Sequence, residues 1–352
     1  MSKARELAEL GAAYNDGALA NRNLVINGGM QVWQRATSAT TTVNTAYNTV
    51  DRFKFYTDSD GSFTSEQSTG HRGDTGHDTA LKCVCTGTDT SLGATQAASV
   101  STRLEAQNLQ HLRYGTSNAK TLTVSFWVRS SKTGIYSFAL TKNDATAYNL
   151  VSEYTINSAN TWEHKTISIP ALTVSSIAND NGVGLSIEFA LAYGSTYRTS
   201  TLDQWMTDND FASTNQVNWL DSTSNNWYLT GFQIEVGTEA TPFEHRSFGQ
   251  ELALCQRYYH AYSNAGQTDA LYFTSPYGLH SSTIDPPNTT LSTQQELPVT
   301  MRAQPSVTAT LNAGTLNRAG GNNGGSVVTF QVASSSSGTA YTVNTYAADA
   351  EL

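Results

Sequence analysis

The chain has 352 residues and a formal net charge of −9, and only 14% of its residues are Asp, Glu, Lys or Arg. Thr, Ser, Asn, Gln, Gly and Tyr take the place of charged residues, which favours strands and turns over helices. The negative charge argues against nucleic acid as a ligand, and no apolar run reaches the roughly 18 residues that span a bilayer. The start lacks the apolar core of a signal peptide, so we expect assembly in a cytoplasm.

Residues 1–22 contain an early helix signal. Ser2 can cap a helix, and Leu7 and Leu10 follow at helical spacing before Gly11. An isolated helix of this length is marginal in water, so we expect its apolar side to dock against another chain or another part of an assembly. A frayed leader is the alternative.

Residues 23–248 read as short extended runs broken by turn residues. Asn23–Asn27 and Met30–Gln34 open the series on either side of two glycines. A strong strand follows at Leu122, with alternate apolar residues on one face. The further candidate strands are Val50–Tyr56, Ala80–Cys85, Ala98–Leu104, Ile135–Leu140, Thr161–Ile169, Val183–Leu191 and Tyr228–Val236. Roughly ten such strands in one domain predict a jelly-roll β-sandwich.

The pattern changes after Phe248. Leu252, Cys255, Tyr258 and Tyr262 lie at helical separations, which predicts a linking helix over 249–265. Strand-like pieces follow and predict a smaller β domain over 266–352. The predicted fold class is therefore all-β: a jelly-roll sandwich with a short N-terminal helix, a linking helix and a second, smaller C-terminal β domain.

A long segment between residues 193 and 228 concentrates aromatic and amide side chains. Sugar rings stack on aromatic side chains and their hydroxyls need polar partners, so this segment is the candidate ligand site. The candidate ligand-binding residues are Tyr197, Trp205, Trp219, Asp221 and Trp227. The alternative is that the tryptophans pin the segment to the sandwich or fill a subunit interface. Trp33 and Trp127 lie inside strand patterns and are expected in the core.

No catalytic motif accompanies these residues. A glycosidase needs a carboxylate pair, and the candidates are scattered: Asp51, Asp58, Asp60, Asp74, Asp78, Glu188, Glu235 and Glu244. The segment 70–78 holds two histidines and two aspartates that could gather a metal, but it reads equally well as an exposed loop. We therefore predict no catalytic residues, no cofactor and no enzymatic activity, and leave metal binding open.

Three stretches carry a resemblance to a known family. They are 23–35 (NLVINGGMQVWQR) followed by 50–53 (VDRF), 227–248 (WYLTGFQIEVGTEATPFEHRSF) followed by 251–259 (ELALCQRYY), and 297–307 (LPVTMRAQPSV). The first two resemble the opening and closing parts of a β-sandwich in tail-fibre and tail-appendage proteins of tailed phages, notably marine and cyanobacterial ones. The third is similar to a strand pair in the C-terminal domains of the same proteins.

This resemblance implies a sandwich akin to carbohydrate-binding modules, assembled in a virion tail as a homo-oligomer, most often a trimer. The N-terminal segment would then attach the chain to other tail proteins, and the β domains would contribute to recognition of a host-surface glycan. Two alternatives stay open. One is a tailspike-like polysaccharide depolymerase, and the other is a tail adaptor or decoration protein that binds only virion partners.

Overall fold

The computed structural model describes residues 3, 21–42, 46–263, 271–272, 290–311, 315–322, 324–333 and 342–352. The chain divides into two compact units, Met1–Phe248 and Gly249–Leu352. Both are built mainly of antiparallel strands, which confirms the all-β fold class. None of the helices in the described residues combines the length and hydrophobicity that membrane crossing requires.

The first sheet of the first unit has six strands in the order β1-β3-β4-β13-β6-β9. Their bounds are β1 Ser38–Thr41, β3 Ser62–Thr69, β4 Thr79–Gly87, β6 Leu122–Ser130, β9 Glu163–Ile169 and β13 Asn226–Val236. All neighbours pair antiparallel.

The second sheet has five strands in the order β2-β5-β10-β7-β8, again antiparallel throughout. Their bounds are β2 Phe53–Thr57, β5 Ala97–Glu105, β7 Gly134–Lys142, β8 Tyr148–Ile156 and β10 Val183–Tyr193. Two short strands, β11 Arg198–Thr199 and β12 Ala212–Ser213, pair parallel beside this sheet.

The chain passes repeatedly between these two sheets, as it does at β4–β5, β5–β6 and β9–β10, and the result is a jelly-roll sandwich. The apolar core lies between the sheets because alternate side chains of each strand point inward. On β6 the inward residues are Leu122, Val124, Phe126 and Val128, as predicted. Burial of large aromatic side chains, including Phe126, Phe189 and Phe232, supplies much of the stabilising apolar area.

Short helices lie in the connections of the first unit. Those among its described residues are α1 Arg72–Thr75 and three 3-10 helices, Ala106–Leu112, Ser195–Tyr197 and Trp219–Asp221. The last of these carries Trp219 and Leu220 into the core.

The opening segment differs from the sequence-based prediction. Asn23–Asn27 and Met30–Gln34 do not form strands, and a turn covers residues 26–29. Here the side chain of Asn27, and not a continuous ladder with a neighbouring strand, satisfies several backbone groups. Its Oδ1 accepts from the backbone N–H groups of Gln31 and Val32, and its Nδ2 donates to two carbonyl oxygens. Asn favours such local bonds over an extended ladder.

The second unit contains two antiparallel sheets among its described residues. In the first, β20 pairs with β14, β15 and β17, and in the second β19 pairs with β16 and β18. The bounds are β14 Tyr259–Ser263, β15 Leu271–Tyr272, β16 Thr290–Glu296, β17 Ser306–Leu311, β18 Thr315–Gly321, β19 Val327–Ala333 and β20 Thr342–Asp349. A separate core includes Met301, Val328, Phe330 and Tyr346.

The predicted linking helix over 249–265 is too long. The helix α2 covers Phe248–Gln256, and Tyr259–Ser263 pairs as a strand with β20 instead. Aromatic residues such as Tyr259 favour strands. Pairing with β20 therefore outweighs the helical spacing of the apolar residues in the sequence. The predicted docking segment, residues 1–22, lies outside the described residues except for positions 3, 21 and 22.

Candidate functional site

The outward surface of the five-stranded sheet carries a cluster of polar and aromatic side chains. Phe53 and Phe55 of β2 point into the core, so Lys54 and Tyr56 point outward. The same alternation places Ser99, Ser101 and Arg103 of β5 and Glu188 of β10 on this surface, which we call the cleft face. The cleft face is defined by Lys54, Tyr56, Ser99, Ser101, Arg103 and Glu188.

Register brings these side chains into rows across the strands. Lys54 and Glu188 are both paired with Ser101, one from each side, and Tyr56 is paired with Ser99. The middle strand therefore presents small side chains between longer ones. Because serine side chains are short, we infer a trough at Ser99 and Ser101 of β5, with long polar side chains on both flanks; Arg103 lies further along the same strand.

The segment from 194 to 218 covers the other half of the sheet. Gln216 is buried, and its amide accepts from the backbone N–H of Ser137 (2.6 Å) and donates to the carbonyl oxygen of Ala190 (3.2 Å). Ser152 Oγ donates to a carboxylate oxygen of Asp203 (2.6 Å). These bonds fix the segment to β7, β8 and β10, while Lys54, Ser101, Arg103 and Glu188 of the cleft face stay only partly buried.

Aromatic rings form one border of the trough. Tyr193, Tyr197 and Phe211 lie with their ring centroids 6.0 to 6.3 Å apart, and Tyr56 packs against the same group. Tyr193 is buried, whereas Tyr56, Tyr197 and Phe211 are half-buried. The half-buried rings therefore keep part of their surface available to a ligand.

The charged groups of the cleft face are partly removed from water. Burial raises the pKa of Glu188, although a hydrogen bond with Ser99 and the nearby charges of Lys54 and Arg103 act in the opposite direction. Burial, followed by repulsion from Arg103, lowers the pKa of Lys54. Burial and a hydrogen bond with Asp58 raise the pKa of Tyr56 to about 12. Hydrogen bonds made here are stronger than in bulk water because screening is reduced.

This arrangement suits a neutral polyhydroxylated ligand. Glu188 accepts a hydrogen bond from the hydroxyl of Tyr193 and is held in place by it. A fixed carboxylate, two nearby cations and the hydroxyl of the half-buried Ser101 offer both acceptors and donors to hydroxyl groups. The rings beside them offer apolar surface to the C–H faces of a sugar.

The structure places the five predicted ligand residues in three different environments. Tyr197 alone belongs to the border of the cleft face. Trp219 and Trp227 are fully buried in the core, so neither ring presents a face to a ligand, and the ligand-binding prediction for these two residues is wrong. Trp227 lies on β13 at an inward position, and Trp219 packs edge-on against Phe63 (6.1 Å between centroids).

Trp205 and Asp221 hold the segment in place. Trp205 Nε1 donates to the carbonyl oxygen of Pro170 (2.7 Å), and its ring packs against Tyr114. Asp221 accepts from Lys132 Nζ (2.6 Å) and from Asn225 Nδ2 (2.8 Å). Both residues match the structural alternative, in which this segment is pinned to the sandwich.

Two other tryptophans were expected in the core. Trp33 packs against the core while half-buried. Trp127 does not: it points outward from β6, between the inward residues Phe126 and Val128, and its ring lies over His164 (5.1 Å). The prediction failed for Trp127 because strand alternation outweighs the general tendency to bury a large ring.

The sequence analysis did not single out Lys54, Tyr56 or Arg103 as ligand residues, and it named Glu188 only among scattered carboxylates. A usable signal was present in β2, where Phe53 and Phe55 alternate with Lys54 and Tyr56. The missing information was which strands become neighbours, since only pairing with β5 and β10 gathers these residues.

The segment 70–78 does not gather its histidines around one point. His71 lies against Trp162 and Tyr228, while His77 lies against Phe243 and His245. Within the described ranges no three His, Cys, Asp or Glu side chains converge as metal ligands would.

No protein-family model matches the chain, and no curated protein sequence matches it. Among solved structures, the chain is similar to the enzymatically active domain of tailspike protein 4 of bacteriophage CBA120, at 11% identity and a TM-score of 0.32 over 61% of this chain; the match spans only 21% of that chain. It is also similar to a family 11 carbohydrate-binding module of a cellulosomal cellulase of Clostridium thermocellum (14% identity, TM-score 0.30, 57% of this chain and 99% of that one). A protein of Bacteroides thetaiotaomicron that has been given a provisional sugar-binding role also matches. The identity is 9% and the TM-score 0.32, over 61% of this chain and 100% of that one. Similarities of this size do not establish what the chain binds.

Proposed function

We propose that this chain is a non-enzymatic, glycan-binding subunit of a phage tail fibre or tail appendage, and that the cleft face is its saccharide site. The observation that carries the glycan part is the trough over β5, where half-buried tyrosine rings border a fixed carboxylate and two cations. Sugars need both apolar stacking and hydrogen-bonding partners, and the cleft face supplies both within one row of strands.

The virion part of the proposal rests on the sequence stretches that resemble tail-fibre and appendage proteins. In this proposal the chain assembles as a homo-oligomer, a trimer as the resemblance implies, attaches to the tail through residues 1–22 and presents several copies of the cleft face to the host. Several weak sites on one assembly bind far more tightly than one, because later contacts form within the complex.

The glycan site is tested by titrating oligosaccharides from host capsule and lipopolysaccharide into the full chain by calorimetry. We expect Tyr197→Ala to weaken binding at least about tenfold, equivalent to about 1.4 kcal/mol, because a stacking ring is lost. His164→Ala removes an exposed ring from the opposite sheet and serves as the matched control. Equal affinity of both variants and the parent chain, with melting temperatures unchanged, would refute the assignment of the cleft face.

The same titrations separate binding from hydrolysis. Asp58 and Glu188 both lie near Tyr56, but each carboxylate is already held by the protein: Asp58 accepts from the backbone N–H of Ala97 (2.6 Å), and Glu188 accepts from Tyr193. Groups fixed in this way suit ligand positioning. Release of new reducing ends from the polysaccharide, abolished by Glu188→Gln, would identify a depolymerase instead.

A further inference from the structure

The opposite surface of the sandwich, on the six-stranded sheet, carries a second group of aromatic and cationic side chains. Tyr228 of β13 pairs with Lys82 of β4 on one side and with Arg129 of β6 on the other. Both cations lie over its ring, Arg129 at 4.9 Å and Lys82 at 5.9 Å from the centroid. Each contact is favourable, but neither neutralises the charge.

The two cations differ in their partners. Lys82 Nζ forms an ion pair with Glu66 (2.5 Å), the residue next to it in register on β3. The side chain of Arg129 has no carboxylate within 4.0 Å and no hydrogen bond to any of the described residues, although it is half-buried. Its Nε atom is buried without an acceptor, which is unfavourable. The positive charge of Arg129 is therefore not neutralised by any described residue.

Two further aromatic rings pack against Tyr228. The ring centroids of Trp162 and His71 lie 5.8 and 6.0 Å from that of Tyr228 and 5.2 Å from each other. Trp162 is half-buried with a buried Nε1 that has no acceptor, whereas Tyr228 and His71 are buried. Burial first, and then the charge of Arg129, lower the pKa of His71, while Asp74 and Asp78 act in the opposite direction. Arg129 and the half-buried ring of Trp162 therefore lie against the same ring, that of Tyr228.

We propose that Arg129, Trp162, Tyr228 and His71 form a second binding site, for a saccharide that carries a carboxylate or a sulfate group. Guanidinium binds oxyanions through two parallel hydrogen bonds, and the terminal nitrogens of Arg129 have no partner in the described part of the chain. Trp162 is half-buried and provides the stacking surface that a sugar needs and a free anion does not, while the buried rings of Tyr228 and His71 hold Arg129 and Trp162 in place. This site is independent of the cleft face because the two lie on different sheets.

The test uses the full chain with glucuronate and galactose 6-sulfate as probes, and with glucose, galactose and inorganic sulfate as controls. Binding is followed by NMR through the indole N–H resonance of Trp162, which is assigned with Trp162→Phe. We expect both acidic sugars to shift this resonance and the neutral sugars to leave it unchanged. The relative response to glucuronate and galactose 6-sulfate distinguishes a carboxylate site from a sulfate site.

Two variants form the matched pair. Arg129→Met should weaken acidic-sugar binding at least about tenfold, whereas Lys82→Met, which removes the cation already paired with Glu66, should change it less than about threefold. Arg129→Lys keeps the positive charge but removes the planar guanidinium group, so its loss of affinity for acidic sugars should lie between those of the other two variants. Tyr197→Ala should have no effect here, so failure of this proposal and failure of the cleft-face proposal are distinguishable.

Equal shifts with acidic and neutral sugars, no shift with either acidic sugar, or unchanged affinity in a folded Arg129→Met variant would each overturn the proposal. Inorganic sulfate binding as tightly as galactose 6-sulfate would overturn its saccharide part, because the rings would then contribute nothing.

Discussion

The two outward surfaces of the sandwich cover the same core but differ in how their charged side chains are paired. On the cleft face, the carboxylate of Glu188 lies near Lys54 and Arg103 and is held by Tyr193, so charges of both signs are balanced within the protein. On the six-stranded sheet, Arg129 lies against the ring of Tyr228 and forms no ion pair with a described residue. A surface that balances its own charges suits a neutral ligand, and one that leaves a cation unbalanced suits an anionic ligand.

The largest expected effect comes from breaking what the two surfaces share. Trp219 is fully buried between the sheets and packs on Phe63. Trp219→Ala should lower the free energy of unfolding by about 3–5 kcal/mol, as deletion of a large buried ring does. Urea denaturation measures this loss, and both sugar-binding activities should fall together as the folded fraction falls.

Trp205→Phe is the control for that variant, because Trp205 is half-buried and would lose only its hydrogen bond to Pro170. Its cost should be about 1 kcal/mol. If Trp219→Ala were as mild as Trp205→Phe, the two sheets would not depend on a common core.

The next prediction concerns the pH dependence of the free energy of unfolding, which a histidine beside the six-stranded sheet should change. His77 lies beside the six-stranded sheet, and burial, with a smaller contribution from the neighbouring His245, lowers its pKa from 6.5 to about 4. As the pH falls through this window, the unfolded chain takes up a proton at His77 while the folded chain does not. The free energy of unfolding should therefore fall by up to about 3 kcal/mol between pH 6.5 and pH 4.

His77→Phe should remove this part of the acid sensitivity, because a phenyl ring keeps the packing on Phe243 without titrating. Urea denaturation of both proteins at a series of pH values measures the difference. If the free energies of unfolding of the two proteins changed equally with pH across that range, the pKa of His77 would be the same in the folded and unfolded chains, and the prediction would be wrong.

Much of the sandwich was predictable from local patterns. Strands such as β6 and β10 alternate cleanly between apolar and polar residues, so their positions and inward faces follow from period-two spacing. The segment opening at Asn23 was not, since only isolated backbone hydrogen bonds join it to β13, and the side chain of Asn27 satisfies other backbone groups. Local hydrogen bonds of this kind leave no periodic signal.

The candidate sites were harder to predict than the strands. Glu188 and Lys54 are 134 positions apart in the chain and meet only because β5 pairs with both of their strands. The same holds for Arg129 and Tyr228, which are joined by the pairing of β6 with β13. Register across a sheet depends on the whole fold, so the composition could not locate either candidate site, and of the five predicted ligand residues only Tyr197 borders the cleft face.

The smallest expected change in stability concerns Glu188, and it has the opposite sign to that of His77. Burial raises the pKa of Glu188, so the stabilisation from its protonated form is present below its ordinary pKa of 4.5 and is lost as the pH rises through its folded-state value. Glu188→Gln should therefore leave stability at pH 7 unchanged or slightly higher, while lowering affinity for the neutral glycan about tenfold, or about 1.4 kcal/mol. Calorimetric titration and urea denaturation of the same sample measure both quantities. A variant that lost stability at pH 7 but kept its affinity would assign Glu188 to the architecture of β10 and would move the saccharide away from the trough over β5.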